Sequence, residues 1–173
     1  MNLIIRMEKP EDDHAIYTLT KAAFAEAEHA DGNEQDVARR LRQRDGFNPK
    51  LSLVALLDEQ IAGHVLFTGL SVGGESALCL AIVSVLPSLQ GRGIGSALIR
   101  KGHETAKALG FSLCLVLGHE TYYPRFGYEP AAEHGIIFPI KAPEACKMVK
   151  FFDACGRCVR GTAVFPPEPM EDR

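Results

Sequence analysis

Three alternating glycines, Gly91, Gly93 and Gly95, with Arg92 between the first two, separate an apolar run from a helix-like segment. The run extends from Leu78 to Leu86 and stops at Pro87; the segment runs from Ser96 to Leu109. Glycine reaches positive φ and permits close approach to the main chain, so several N–H groups in such a turn can converge on one anion. The first-turn N–H groups of the following helix lack internal partners, and its dipole favours negative charge there. The chemistry this pattern indicates is phosphate binding. A P-loop needs a lysine directly after its last glycine, and none occurs before Lys101. The dinucleotide fingerprint Gly-x-Gly-x-x-Gly meets Ser96 where its third glycine should stand, although a frame shifted to Gly93 ends acceptably in Ala97. A strand-to-helix connection that binds nothing accounts for one glycine and not for three.

With this context on both sides, Gln90-Gly-Arg-Gly-Ile-Gly95 resembles the Gln/Arg-x-x-Gly-x-Gly/Ala signature of GNAT-superfamily N-acetyltransferases. Val83-Ser-Val-Leu-Pro87 is similar to the end of that family's fourth strand. Leu117-Gly-His-Glu-Thr-Tyr-Tyr-Pro-Arg-Phe-Gly-Tyr128 is similar to its second landmark, a tyrosine four residues before a Gly-aromatic pair. The Tyr-Tyr-Pro-Arg-Phe-Gly form resembles a branch of small bacterial predicted acetyltransferases. The likeness extends from the first strand to about Phe165.

The resemblance implies acetyl-coenzyme A as co-substrate, its pyrophosphate on the amides of Gly91, Arg92, Gly93, Ile94, Gly95 and Ser96, with Gln90 and Arg92 adding side-chain contacts. The main chain of Val83, Ser84 and Val85 would pair with the pantetheine arm. A neutral primary amine of a small molecule or peptide would attack the thioester directly, through a tetrahedral oxyanion held by an N–H near Val85. Tyr123 would be the general acid that protonates the departing thiolate. Many relatives carry a glutamate base on the fourth strand, whereas Leu78-Cys-Leu-Ala-Ile-Val is wholly apolar here. Glu26, Glu28, His29, Asp31 and Glu34 lie in or beside the helix-loop-helix that the resemblance puts at the acceptor, and His119 and Glu120 stand at the end of the fifth strand, within reach of the cleft; each also reads as a surface charge. The apolar fourth strand keeps open a non-catalytic acyl-CoA-binding regulatory domain. The shifted glycine frame keeps open a dinucleotide-binding oxidoreductase module, which three successive strands before the loop disfavour.

Five cysteines without a secretion signal argue against a disulfide framework. Cys79 and Cys114 lie in apolar runs and read as buried thiols. Cys155-Gly-Arg-Cys158 reads as a turn between two strands, with redox sensing as the lesser alternative; no second ligand pair at regular spacing completes a metal site. A formal net charge of −3 gives no support for nucleic-acid or anionic-membrane binding. No apolar run approaches the roughly 20 residues of a membrane span. The N-terminus lacks a signal-peptide core, so a cytoplasmic address is expected.

These residues need a scaffold, and 173 residues of ordinary composition suffice for one domain, expected over 1–165 with a tail at 166–173. Leu3 to Arg6 reads as a first strand. Ile16, Leu19, Ala23 and Phe24 fall at helical spacing, Asp31-Gly-Asn is a break, and Glu34 to Arg44 reads as a second helix whose arginines face solvent. Leu51–Leu57, Ile61–Leu70 and Ala77–Leu86 form an antiparallel meander, turned at Asp58-Glu-Gln and Gly69–Ser76. The Ser96–Leu109 helix, with Ala97, Leu98, Ala106 and Leu109 inward, closes at Gly110 and leads to a buried parallel strand, Phe111–Leu117. Thr121 to Phe126 holds one helical turn. Lys141–Lys150 is expected to be irregular or helical, and Gly135–Ile140 and Val159–Phe165 to be the last strands. His64 and His103 read as structural histidines. The expected fold is α/β (α+β): a mixed, mostly antiparallel GNAT-like sheet of about seven strands with a central βαβ crossover, flanked by helices. An exposed edge strand near the C-terminus is compatible with a homodimer.

Overall fold

A computed structural model of the chain describes residues 2–27 and 30–167. The expected mixed, mostly antiparallel sheet flanked by helices is what it shows. Nine strands take part: β1 (Leu3–Met7), β2 (Ser52–Leu57), β3 (Gln60–Val72), β4 (Glu75–Val85), β5 (Leu113–Leu117), β6 (Glu129–Pro130), β7 (Ile136–Ile137), β8 (Lys147–Phe151) and β9 (Gly161–Val164). The helices are α1 (Asp13–Phe24), α2 (Glu34–Leu41) and α3 (Ile94–Ala108). Hydrogen bonding orders the strands β1-β2-β3-β4-β5-β8-β6, with β9 pairing the end of β3 and also β7. β4 and β5 are parallel and joined through α3, which is the expected crossover.

The residues group into two compact units. Among the described residues, the first comprises those up to Phe67, Ile82–Thr105 and Pro167. Within it β1, β2 and the start of β3 form an antiparallel ladder. The β2–β3 turn is tighter than expected: Asp58 and Glu59 take φ of 48° and 71°, and Gln60 already belongs to β3. Ile16 and Leu19 of α1 and Leu98 and Ile99 of α3 are buried. α3 comes very close to β3. A Cβ at Gly63 would meet Leu98 and Ile94, and one at Gly102 would run into the Phe67 ring. His103 also stands edge-on to Phe67, as a structural histidine.

The arginines in α2 and at its C-terminal end are not merely solvated. Arg42 pairs with Glu8 at 2.8 Å and with Asp13 at 3.2 Å, and Arg39 pairs with Asp13 at 2.8 Å. Glu8 in turn lies 3.4 Å from Nε2 of the fully buried His64, whose Nε2 is also 2.9 Å from Ser52 Oγ. Burial pushes the Glu8 carboxyl upward, but hydrogen bonds from His64 and Arg42 and the charge of Arg42 outweigh it and hold it at about 2. Burial lowers the pKa of His64.

The second unit comprises Thr68–Ala81 and Ala106–Pro166. Its core includes Val72, Ala77, Leu113, Leu115, Ile136 and Val149. The sequence expectation places the β3–β4 turn too early and too long, since β3 continues through Val72 and the chain reverses on Gly73 and Gly74 alone, at φ of 56° and 84°. The Lys141–Lys150 segment is likewise not irregular throughout. Lys147–Phe151 is β8, in antiparallel register with β5 from Leu117↔Lys147 to Leu113↔Phe151. Of Gly135–Ile140 only Ile136 and Ile137 pair as strand, and the last strand shortens to Gly161–Val164. Leu109, expected inward, is exposed. No helix among the described residues is long and apolar enough to cross a membrane. The proposed tail beyond Pro167 lies outside the described residues.

Candidate active site

All ten residues expected to bind the cofactor lie on one continuous strand–loop–helix of the first unit. Val83, Ser84 and Val85 end β4, Gln90 to Gly93 form the loop, and Ile94, Gly95 and Ser96 are the first turn of α3. The helix starts two residues earlier than expected, because Gly95 is helical and Ala97 N–H already bonds the Gly93 carbonyl at 3.0 Å. Gly91 and Gly93 take φ of 76° and 83° with open space where a Cβ would stand. They are therefore required for backbone conformation and not for close packing.

Among the described residues, no N–H from Gly91 to Ser96 donates to a protein carbonyl. The first turn of α3 contains no acidic residue, so nothing there offsets the positive end of its dipole. Arg92 is exposed and makes no ion pair or hydrogen bond with the described residues. This combination of unpaired amides, an uncompensated dipole and an available guanidinium is suited to a diphosphate. Gln90 is engaged differently: its side-chain amide donates to the Val85 carbonyl at 3.1 Å and so ties the loop to the strand end.

The parallel ladder between β4 and β5 joins Leu78, Cys79 and Leu80 to Cys114, Leu115 and Val116, and includes no residue of β4 beyond Leu80. Ser84 is buried and its hydroxyl lies 3.2 Å from that of Thr20 on α1. The side chain of Ser84 is thus anchored in the protein, and its carbonyl lies against β3 at Gly63. Thr20 is a residue sequence reasoning missed. Its signal was a hydroxyl on the apolar face of α1, one turn after Ile16, where a polar atom needs a partner.

Tyr123 lies in the second unit, at the start of a 3₁₀ turn spanning Tyr123–Phe126. Its ring is buried and stands edge-on to Tyr122 and Tyr128, at centroid distances of 5.1 and 5.7 Å. Gly118 makes room for it, since a Cβ there would run into the ring. Gly127, at φ 92°, ends the turn. Burial, with smaller contributions from Tyr122, Cys79 and Cys114, pushes the Tyr123 phenol well above its ordinary value. Its hydroxyl makes no hydrogen bond to the described residues, unlike that of Tyr128, which donates to Cys114 Sγ at 3.3 Å. Tyr122 is the more exposed of the adjacent pair.

As for the alternative bases, the apolar stretch of β4 is as buried as it reads, with Leu78, Cys79, Leu80 and Ile82 all in the interior. Glu34 accepts from Asp31 N, ahead of α2, at 2.7 Å. Glu26 and Asp31 are exposed in the first unit, and His119 and Glu120 are exposed in the second. Glu28 and His29 lie outside the described residues.

Comparison with known proteins agrees with this arrangement. A family model described as an acetyltransferase (GNAT) domain matches residues 48–130, from before β2 to β6. The chain is 40% identical over 129 residues to the uncharacterised N-acetyltransferase YjhQ of Escherichia coli K12, covering 70% of this chain and 71% of that protein. The crystal structure of a GNAT family acetyltransferase from Brucella melitensis in complex with acetyl-CoA superposes with a TM-score of 0.78 at 31% identity. That match covers 95% of this chain and 96% of the other. The GNAT family N-acetyltransferase YhbS from Escherichia coli, in complex with CoA, gives a TM-score of 0.84 at 29% identity, covering 94% and 89%. With a family model that spans the glycine loop, the crossover and the tyrosine turn, and a relative 40% identical over 70% of its length, the chain belongs to the GNAT family of acetyltransferases.

Proposed function

We propose that the protein is an acetyl-CoA-dependent N-acyltransferase that moves an acetyl group to a primary amine of a small molecule or peptide. The observation that carries this reading is the set of unpaired amides from Gly91 to Ser96, at the N-terminus of a helix whose first turn has no acid. Relatives in complex with acetyl-CoA and CoA support the identity of the anion. Acetyl-CoA supplies the acyl group as a thioester. The loop amides and Arg92 hold its diphosphate, and the main chain of Val83–Val85 steers the pantetheine arm. A strand N–H near Val85 stabilises the developing oxyanion, a contribution of roughly 2.7–4 kcal/mol in other acyl-transfer sites. Tyr123 donates a proton to the leaving thiolate. Its raised pKa keeps it protonated through the neutral range, which suits a donor.

The buried apolar stretch of β4, where a base is absent, favours a second reading: an acyl-CoA-binding domain without turnover. One experiment separates the two. Acetyl-CoA binding is measured by calorimetry, and thiol release is followed over a panel of α-amines, polyamines and lysine peptides. Binding with amine-dependent thiol release supports the transferase; binding with no acetylated product from any amine supports the regulatory domain. Absence of binding overturns both.

A further inference from the structure

We propose that Cys155 and Cys158 form a dithiol site that exchanges with small, carboxylate-bearing disulfides and closes to an intramolecular disulfide. Both thiols are exposed, and both line a cavity of about 550 Å³ in the second unit, within the size range of small-molecule sites. Ser76, Ser112, Glu75 and Arg160 also line it. It opens at the N-terminal ends of β4 and β5, away in sequence from the glycine loop.

The turn that carries the pair is tightly fixed. Cys158 N–H donates to the Cys155 carbonyl at 3.1 Å, closing a 3₁₀ turn over Gly156–Cys158. Side chains three apart in such a turn eclipse, and its Cα atoms stay within about 7 Å, which overlaps the roughly 4.4–6.8 Å that a disulfide needs. Asp153 holds the turn by accepting from Gly156 N at 2.8 Å and from Ser112 Oγ at 3.0 Å. Gly156 is buried, and a Cβ there would strike the Ser112 carbonyl. A loose surface turn would need neither restraint.

The chemistry balances without a cofactor. One cysteine thiolate attacks a sulfur of the incoming disulfide, whose S–S bond breaks and releases one thiol after protonation. The second cysteine attacks the protein sulfur of the mixed disulfide, forming the Cys155–Cys158 bond and releasing the second thiol. The protein dithiol is oxidised and the small disulfide is reduced to two thiols. Arg160, whose Nη1 already donates to the Arg157 and Val159 carbonyls, would hold a substrate carboxylate through its other nitrogens, with Ser76 as a hydrogen-bonding group in the same cavity.

The test uses the full chain with oxidised glutathione as probe, read by intact mass and peptide mapping. The expected product has lost two hydrogens and carries a cross-link between Cys155 and Cys158, reversed by dithiothreitol. Cys158→Ser should stop at a glutathione adduct on Cys155. Arg160→Gln should slow the reaction about threefold with oxidised glutathione and leave that with neutral hydroxyethyl disulfide unchanged. Thiols that remain free, a glutathione adduct that persists in the wild type, or cross-linked dimers would overturn the dithiol site. Equal rates for Arg160→Gln and wild type with glutathione would overturn the anion anchor.

Discussion

Tyr123 combines a ring locked among aromatic neighbours with a hydroxyl that no described residue uses. Those two properties separate a packing role from a chemical one. Tyr123→Phe keeps the ring and its edge-on contacts, so the thermal midpoint should stay within a degree or two of the wild type. If the phenol is the proton donor, kcat should fall about 10²-fold or more with little change in KM for acetyl-CoA, measured by thiol release. An unchanged kcat would reduce Tyr123 to a core aromatic. Ser84 is the opposite case, since its buried hydroxyl is engaged by Thr20. Ser84→Ala leaves Thr20 Oγ1 buried without its partner and should cost about 1–2 kcal/mol in urea unfolding. Thr20→Val in the same background should recover part of that loss, because removing both partners removes the unsatisfied group.

At the scale of elements, the glycine loop is where backbone conformation makes its own prediction. Gly91 and Gly93 have positive φ and open space around the missing Cβ, so alanine there meets no atom and is strained only through its own backbone. Each substitution should cost about 1–2 kcal/mol locally and turn amides away from their shared focus. The expected result is a rise of about tenfold in KM or Kd for acetyl-CoA with a nearly wild-type core, checked by calorimetry beside thermal melting. An unchanged Kd would remove the anion cradle. This loop was legible in the sequence because its conformation is set by neighbouring residues, as was the tyrosine turn before Gly127. The strand β8 was not. Lys147-Met-Val-Lys-Phe151 reads as polar, yet Lys147 is buried with its amine on Glu144 at 2.8 Å, and Lys150 reaches the Phe126 carbonyl at 2.7 Å. Long stems that bury carbon while their amines find a partner, three residues back for Lys147 and 24 residues back for Lys150, hide a strand from any reading of local polarity. Thr20 and Ser84, 64 residues apart, were hidden by the same dependence on distant pairing.

For the whole chain, acid stability follows from Glu8, Arg42 and His64, which come from separate elements and meet only on folding. Glu8 has a folded pKa of about 2 against 4.5 for the free group. A depressed carboxyl contributes stability that is complete above about pH 4.5 and is lost as the pH falls toward 2. His64 is held below 6.5 by burial, so the unfolded chain takes up its proton first and stability is also lost as the pH falls through 6.5. Both groups therefore weaken the fold in acid, in two successive windows. Glu8→Gln removes the lower one, takes from His64 the carboxylate that partly offsets its burial, and leaves Arg42 with Asp13 as its remaining partner, at a cost of about 2 kcal/mol at neutral pH. The stability gap between wild type and variant, measured by urea unfolding, should then hold or widen from pH 7 to 5, because His64 without Glu8 is held lower still, and shrink from pH 4.5 to 3.5. The wild type's own decline should begin near pH 6.5 and should be present in the variant too, because it belongs to His64. A gap that holds its neutral-pH size at pH 3.5 would mean that Glu8 is not the depressed carboxylate, and that the acid sensitivity of the chain resides in another pair.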